Sequence, residues 1–158
     1  PIMEAYQSRK PAYFGTPAVN LVLALEKSLE LILAEGMDER FDRHRRTGEA
    51  FREAMKAAGI KMIPVNNQVA ANTLSAPYYP DGIDGKAFLA NVSKEGIILA
   101  GGLLGDIKAR YFRVGHMGSV NRSDLLSTVG AVETALRAGG YQLDSGVCLK
   151  AAQQVLDR

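Results

Sequence analysis

The residues best suited to chemistry stand close together in "ARYFRVGHMGSVNRSD", positions 109 to 124. Arg113 ends an apolar, strand-like run just before a turn bracketed by Gly115 and Gly118. A planar guanidinium can hold a carboxylate through two parallel hydrogen bonds, which lysine cannot reproduce. The same residue type equally suits a structural ion pair or an exposed strand end, and the spacing alone leaves these open. His116 in the turn is either a proton-transfer group or a loop histidine bonded to nearby backbone. His44 is far away in sequence, on what reads as an exposed helix, so the two histidines define no metal site. Cys148 is the single cysteine. That excludes an intrachain disulfide and a cysteine-cluster metal centre, and it suits a reducing setting.

The elements around Arg113 follow from periodicity. In a strand from Arg110 to Val114, Phe112 and Val114 share one face while Tyr111 and Arg113 share the other. After the turn, Asn121 caps a helix and Asp124 completes a capping box. Leu125, Val129, Val132 and Leu136 form that helix's apolar stripe, Gly139 and Gly140 end it, and residues 147–157 form a terminal helix. Upstream, "IKMI", "VAANTLSA" and "GIILAGG" read as strands, the last of them buried, with "PYYPDG" interrupting them. A helix from Asp84 to Lys94 presents Phe88, Leu89 and Val92. This alternation predicts an α+β, two-layer fold: a small sheet covered by helices.

The first part of the chain is helical. Residues 1–16 have no clear period and read as an arm. Thr16 is placed to cap a helix that Pro17 begins, since proline lacks the N–H that a first helical residue leaves unused. In "NLVLALEKSLELILAEG" the stripe Val22, Leu25, Leu29 and Ile32 is joined by apolar residues on other faces. This predicts contact on two sides, with parts of the molecule outside this chain or with a partner. A second helix from Asp38 to Ala58 offers Phe41, Phe51, Met55 and Ala58 to the core. Its "RHRR" at 43–46 sits among Asp38, Glu39, Asp42, Glu49 and Glu53, and reads as a solvated, self-paired face rather than a nucleic-acid site. The balance of 19 basic and 17 acidic residues, with no tryptophan, adds no polyanion signal. At 158 residues and 47% hydrophobic, the chain can fill a core. Without an apolar run of about 18 residues or a signal peptide, it reads as soluble and intracellular, and not as a membrane protein.

Two stretches resemble a known family. "YFRVGHMGSVNRSDLLSTVGAVETALRAGG" resembles the end of the class V aminotransferases, particularly the alanine/serine–glyoxylate branch. "KPAYFGTPAVNLVLALEKSLELILAEG" resembles the segment of that family that crosses from the large cofactor domain into the small one. The resemblance implies the C-terminal small domain of a fold-type I aminotransferase, with a mainly antiparallel sheet. Residues 1–16 would be the arm from the large domain, and residues 17–158 the linking helix and small domain. It implies that Arg113 binds the substrate α-carboxylate. It implies further that Tyr13 and Thr16 reach the phosphate of pyridoxal 5'-phosphate in the neighbouring subunit of a homodimer. The substrates implied are small amino acids such as alanine or serine and 2-oxo acids such as glyoxylate.

One requirement of that chemistry is missing. Transamination needs a Schiff-base lysine. None of Lys10, Lys27, Lys56, Lys61, Lys86, Lys94, Lys108 and Lys150 stands in the family's motif for it. The expectation is a C-terminal part of an aminotransferase, inactive and without cofactor when isolated. One chain of a split enzyme and a partner-binding structural module are the alternatives. "QQVLDR" is not a peroxisomal tripeptide, and cytoplasm, peroxisome and mitochondrion all stay open.

Overall fold

Proline at position 77 explains much of the sheet's shape. The structure, a computed structural model, describes residues 2–11 and 15–158. It divides into two compact units, Pro1–Arg40 and Phe41–Arg158.

The first unit contains α1 (Ile2–Gln7) and α2 (Val19–Glu35). The cap of α2 is Ala18, not Thr16, and no side chain closes it. The Ala18 carbonyl is the first to accept from the helix, from the N–H groups of Leu21 and Val22, and Pro17 accepts only from Val19. The helical turn therefore starts two residues later than proline's preference suggests. Gly36, at φ 91, ends α2 with its N–H on the Ile32 carbonyl, a conformation that glycine takes without a Cβ penalty. None of the α2 residues is buried, and Leu21 and Leu33 are 72% and 71% exposed.

Helix α3 (Met37–Ala57) leads into the second unit. Its buried stripe starts at His44 and continues through Ala50, Phe51, Ala54 and Met55. Phe41, expected in the core, is 62% exposed because it lies a turn ahead of that stripe. The "RHRR" segment is not one solvated face. Arg45 alone fits that description, pairing with Asp42 and Glu49. His44 is buried, Arg46 donates to the Leu156 carbonyl, and Arg43 donates to the carbonyls of Gly118 and Val120.

Three short strands make one antiparallel sheet: β1 (Leu74–Ser75), β2 (Ala100–Gly101) and β3 (Phe112–Gly115), in the order β1-β3-β2. Ser75 pairs with Val114 and Ala100 with Arg113. The expected strands are much reduced. "IKMI" keeps a single bridge, Met62 to Pro77, since proline has no N–H with which to extend a ladder. In the "VAANTLSA" region the Asn66 side chain accepts from the N–H groups of Gln68 and Val69, a local turn that competes with strand pairing. "GIILAGG" is not a buried strand: only Ala100 and Gly101 pair, and Ile98 is 89% exposed. The run before Arg113 begins as a 3-10 turn, Gly105–Arg110, and Tyr111 joins the sheet by a bridge to Tyr78.

Helices α4 (Gly85–Lys94), α5 (Arg122–Ala138) and α6 (Val147–Leu156) complete the unit. Asp84 caps α4, and Asn121 and Asp124 form the expected capping box of α5. The core joins Phe51 and Met55 of α3, Phe88 of α4, Phe112 and Val114 of β3, and Val129 and Leu136 of α5. Phe112 sits 4.7 Å from the Phe88 ring and 5.3 Å from Tyr79. Burying each such side chain contributes about 1.5–3 kcal/mol. β3 is thereby fixed at the centre of the unit.

Candidate functional site

Arg113 occupies the second position of the central strand, between the buried residues Phe112 and Val114. Strand alternation turns its side chain away from the core and onto the face of Tyr111. Its Nε donates to the Gly101 carbonyl at 2.8 Å. Its two terminal amino groups have no partner among the described residues, and no carboxylate pairs with it there. The structural ion pair that the sequence left open is thus absent among those residues. What remains is a half-buried guanidinium, oriented at one nitrogen, with its double-donor edge available to a planar anion.

The neighbouring backbone is held by a residue that the sequence reading did not single out. The Tyr111 hydroxyl accepts from the N–H groups of Leu103 and Leu104, at 2.7 and 2.8 Å. Gly102 lies against the Tyr111 ring, and a Cβ there would collide with that ring and come within 2.5 Å of the Lys108 carbonyl. The available signal was positional: a tyrosine two residues before Arg113 on the same face, facing an "AGG" sequence.

His116 is close to Arg113 in sequence but points into the protein. Its N–H donates to the Thr73 carbonyl, its Nε2 is 2.9 Å from the Ser75 hydroxyl, and its ring packs 6.3 Å from Phe51. Nδ1 is buried without a hydrogen-bond partner. Burial and the positive charge of Arg52 push its pKa down to about 4, against an opposing pull from the Asn72 backbone. A neutral ring sealed beneath the sheet serves structure rather than proton transfer with a substrate.

The other expected site residues are Thr16 and Tyr13. Thr16 lies in the first unit with its side chain exposed, and Tyr13 lies outside the described residues. Each lysine is exposed. A cleft of about 620 Å³, lined by Lys61, Tyr78, Asp81 and Arg110 among others, does not include Arg113. It is an open surface depression, and the hydrogen-bonding geometry makes Arg113 the stronger candidate. No cluster of metal ligands occurs among the described residues. No helix there is long and apolar enough to cross a membrane.

No protein-family model matches the chain. It is 39% identical to alanine–glyoxylate aminotransferase 1 of Saccharomyces cerevisiae over 121 residues, 75% of this chain and 30% of that protein. It is 33% identical to serine–glyoxylate aminotransferase of Arabidopsis thaliana over 141 residues, 89% of this chain and 35% of that protein. The crystal structure of ureidoglycine–glyoxylate aminotransferase from Bacillus subtilis matches 99% of this chain and 41% of its own, with a TM-score of 0.88 and 26% identity. The chain spans less than half the length of the relatives it matches. On these identities over three quarters or more of its length, the chain belongs to the class V pyridoxal-phosphate-dependent aminotransferases, as a C-terminal portion of the alanine/serine–glyoxylate type.

Proposed function

We propose that this chain is the substrate-orienting part of an aminotransferase that moves an amino group from alanine or serine to glyoxylate or a related 2-oxo acid. The observation carrying this reading is the guanidinium of Arg113, anchored through Nε to Gly101 and open at both terminal nitrogens among the described residues. These substrates share one group next to the reacting carbon, the α-carboxylate. A two-point grip there fixes where that carbon sits and how it is turned, which lowers the barrier by orientation. The names of the yeast and Arabidopsis relatives support the choice of alanine, serine and glyoxylate.

The described residues do not build a complete site for pyridoxal phosphate. A lysine that bonds to the cofactor works from a desolvated pocket, and every lysine here is exposed. When bound, the cofactor supplies an electron sink for the bond changes at the substrate's α-carbon. In this reading the lysine comes from outside this chain, and the isolated chain is inactive and holds no cofactor. Thr16 and Tyr13 contribute hydroxyl donors to a phosphate bound in a neighbouring subunit, with residues 1–16 crossing as an arm. The exposed leucines of α2 support assembly into a homodimer with a large domain present. A sole, buried, unpaired cysteine suits an intracellular setting.

Kinetics of Arg113→Ala in the complete enzyme test the reading. The expected result is a large loss of specificity for carboxylate substrates, and unchanged kinetics reject the contact. Cofactor retention by the Tyr13→Phe/Thr16→Ala double variant should weaken, and full retention makes both residues structural. The apolar surface of α2 also suits a partner-binding module. A native product of 17.0 kDa, measured by intact mass, favours that module or a split enzyme over a part of one long chain.

A further inference from the structure

We propose that Tyr111 is a positioning residue for the Arg113 guanidinium, acting through the backbone of residues 101–104. The proposal rests on the reading of Arg113 as the carboxylate grip. Tyr111 and Arg113 alternate with Phe112 and Val114 along β3 and so share one face. Each holds the same short segment. Arg113 Nε donates to the Gly101 carbonyl at 2.8 Å, and the Tyr111 hydroxyl receives the Leu103 and Leu104 N–H groups at 2.7 and 2.8 Å.

Little else restrains that segment. Strand β2 ends at Gly101, and beyond it the ladder with β3 stops. The side chains of Leu103 and Leu104 are exposed. Gly102 is laid on the Tyr111 ring so closely that only a residue without a Cβ fits. The direction of the Gly101 carbonyl depends on the peptide planes that follow it. On their N–H side those planes are fixed by one hydroxyl oxygen that takes two donors, while the Leu104 carbonyl accepts separately from the Ile107 N–H. A guanidinium is rigid and planar, so a swing at its Nε contact turns the double-donor edge by the same angle. The tyrosine hydroxyl therefore sets the angle at which Arg113 meets a carboxylate, without touching the substrate.

The test uses the complete, cofactor-loaded enzyme that carries this chain. Tyr111→Phe keeps the ring against Gly102 and removes only the acceptor. Leu104→Pro removes one of the two donors from the other end: Leu104 has φ −69, which proline adopts, and proline lacks the N–H. Both variants should raise KM for the amino donor about five- to tenfold, with kcat within about twofold, as expected for lost binding common to ground and transition states. Calorimetry should show the same loss of affinity for propionate, a carboxylate with no amino group to react. Arg113→Lys is the reference. If it weakens propionate binding while Tyr111→Phe and Leu104→Pro leave both KM and propionate affinity unchanged, the positioning role is wrong. A fall in kcat or thermal stability without any change in propionate affinity also overturns it, by making the hydroxyl merely structural. If Arg113→Lys itself changes neither quantity, the underlying reading of Arg113 fails, and the positioning role falls with it.

Discussion

The Nε–H of Arg113 donates to the Gly101 carbonyl at 2.8 Å, which ties the central strand's one outward cation to the edge strand beside it. The contact uses a single nitrogen and leaves the shape of the guanidinium intact for something else to read. Charge alone does not capture this arrangement, because a lysine at 113 would keep the charge and lose both the anchor and the fork.

Arg113→Lys should therefore lower kcat/KM for alanine or serine in the complete enzyme by roughly ten- to a hundredfold, the worth of one or two charge-assisted hydrogen bonds. Steady-state kinetics with both donors read the effect. A lysine variant that matches the parent would show that only charge matters at this position.

His116 makes stability depend on pH. The fold holds the ring neutral, with its pKa pushed from the ordinary 6.5 to about 4 by burial and by Arg52. Unfolding in that interval takes up a proton. The histidine's contribution is thus complete above about pH 6.5 and is lost as pH falls toward 4, to a total on the order of 3 kcal/mol. Denaturant titrations from pH 7 to 4.5 should show the decline, and His116→Gln should flatten it. Equal slopes in parent and variant would mean that other groups carry the acid sensitivity.

Glu133 closes the start of α6 from a neighbouring helix. Its carboxylate accepts from the N–H groups of Gly146 and Cys148, the latter at 2.9 Å, and the Gly146 cap itself provides no side chain. Glu133→Ala leaves one buried and one half-buried donor unanswered beside a positive helix end, at an expected cost of about 2 kcal/mol. Equilibrium unfolding measures it. Glu133→Gln should fall between, since the amide keeps one acceptor without the charge.

Cys148 should resist alkylation in the folded protein. Burial first, then the Glu133 carboxylate beside it, push the thiol up to about 12, so almost no thiolate exists near neutrality. Iodoacetamide followed by mass measurement should show labelling only when denaturant is present. Rapid labelling of the native chain at pH 8 contradicts the buried placement.

The helix after Arg113 was readable because it carried two agreeing signals, whereas α1, Ile2–Gln7, carried none and was read as an arm. Around α5, the Asn121 and Asp124 cap coincided with the stripe from Leu125 to Leu136, and both survive in the fold. Thr16 had only local chemistry behind it, and the chain begins α2 from Ala18 instead. Strands were overread because apolar composition does not reveal where backbone donors go. Pro77 withholds one, Asn66 diverts two, and Tyr111 captures those of Leu103 and Leu104. The "RHRR" segment failed for a similar reason. Arg43 and Arg46 find carbonyls 75 and 110 residues away, and local charge spacing carries no trace of such partners. Arg113 was legible as an outward arginine on a packed strand, and its long-range hydrogen bond to Gly101 was not.

The alternation along β3 has a consequence for how this protein can change. Phe112 and Val114 fill the core, while Tyr111 and Arg113, interleaved with them, take the other face, where Tyr111 is buried and Arg113 half-buried. Over these four positions, variation on the Arg113 face cannot drift independently of variation that preserves folding. A lineage accumulating substitutions is freer at the exposed side chains of Leu103 and Leu104 than in the strand beside them.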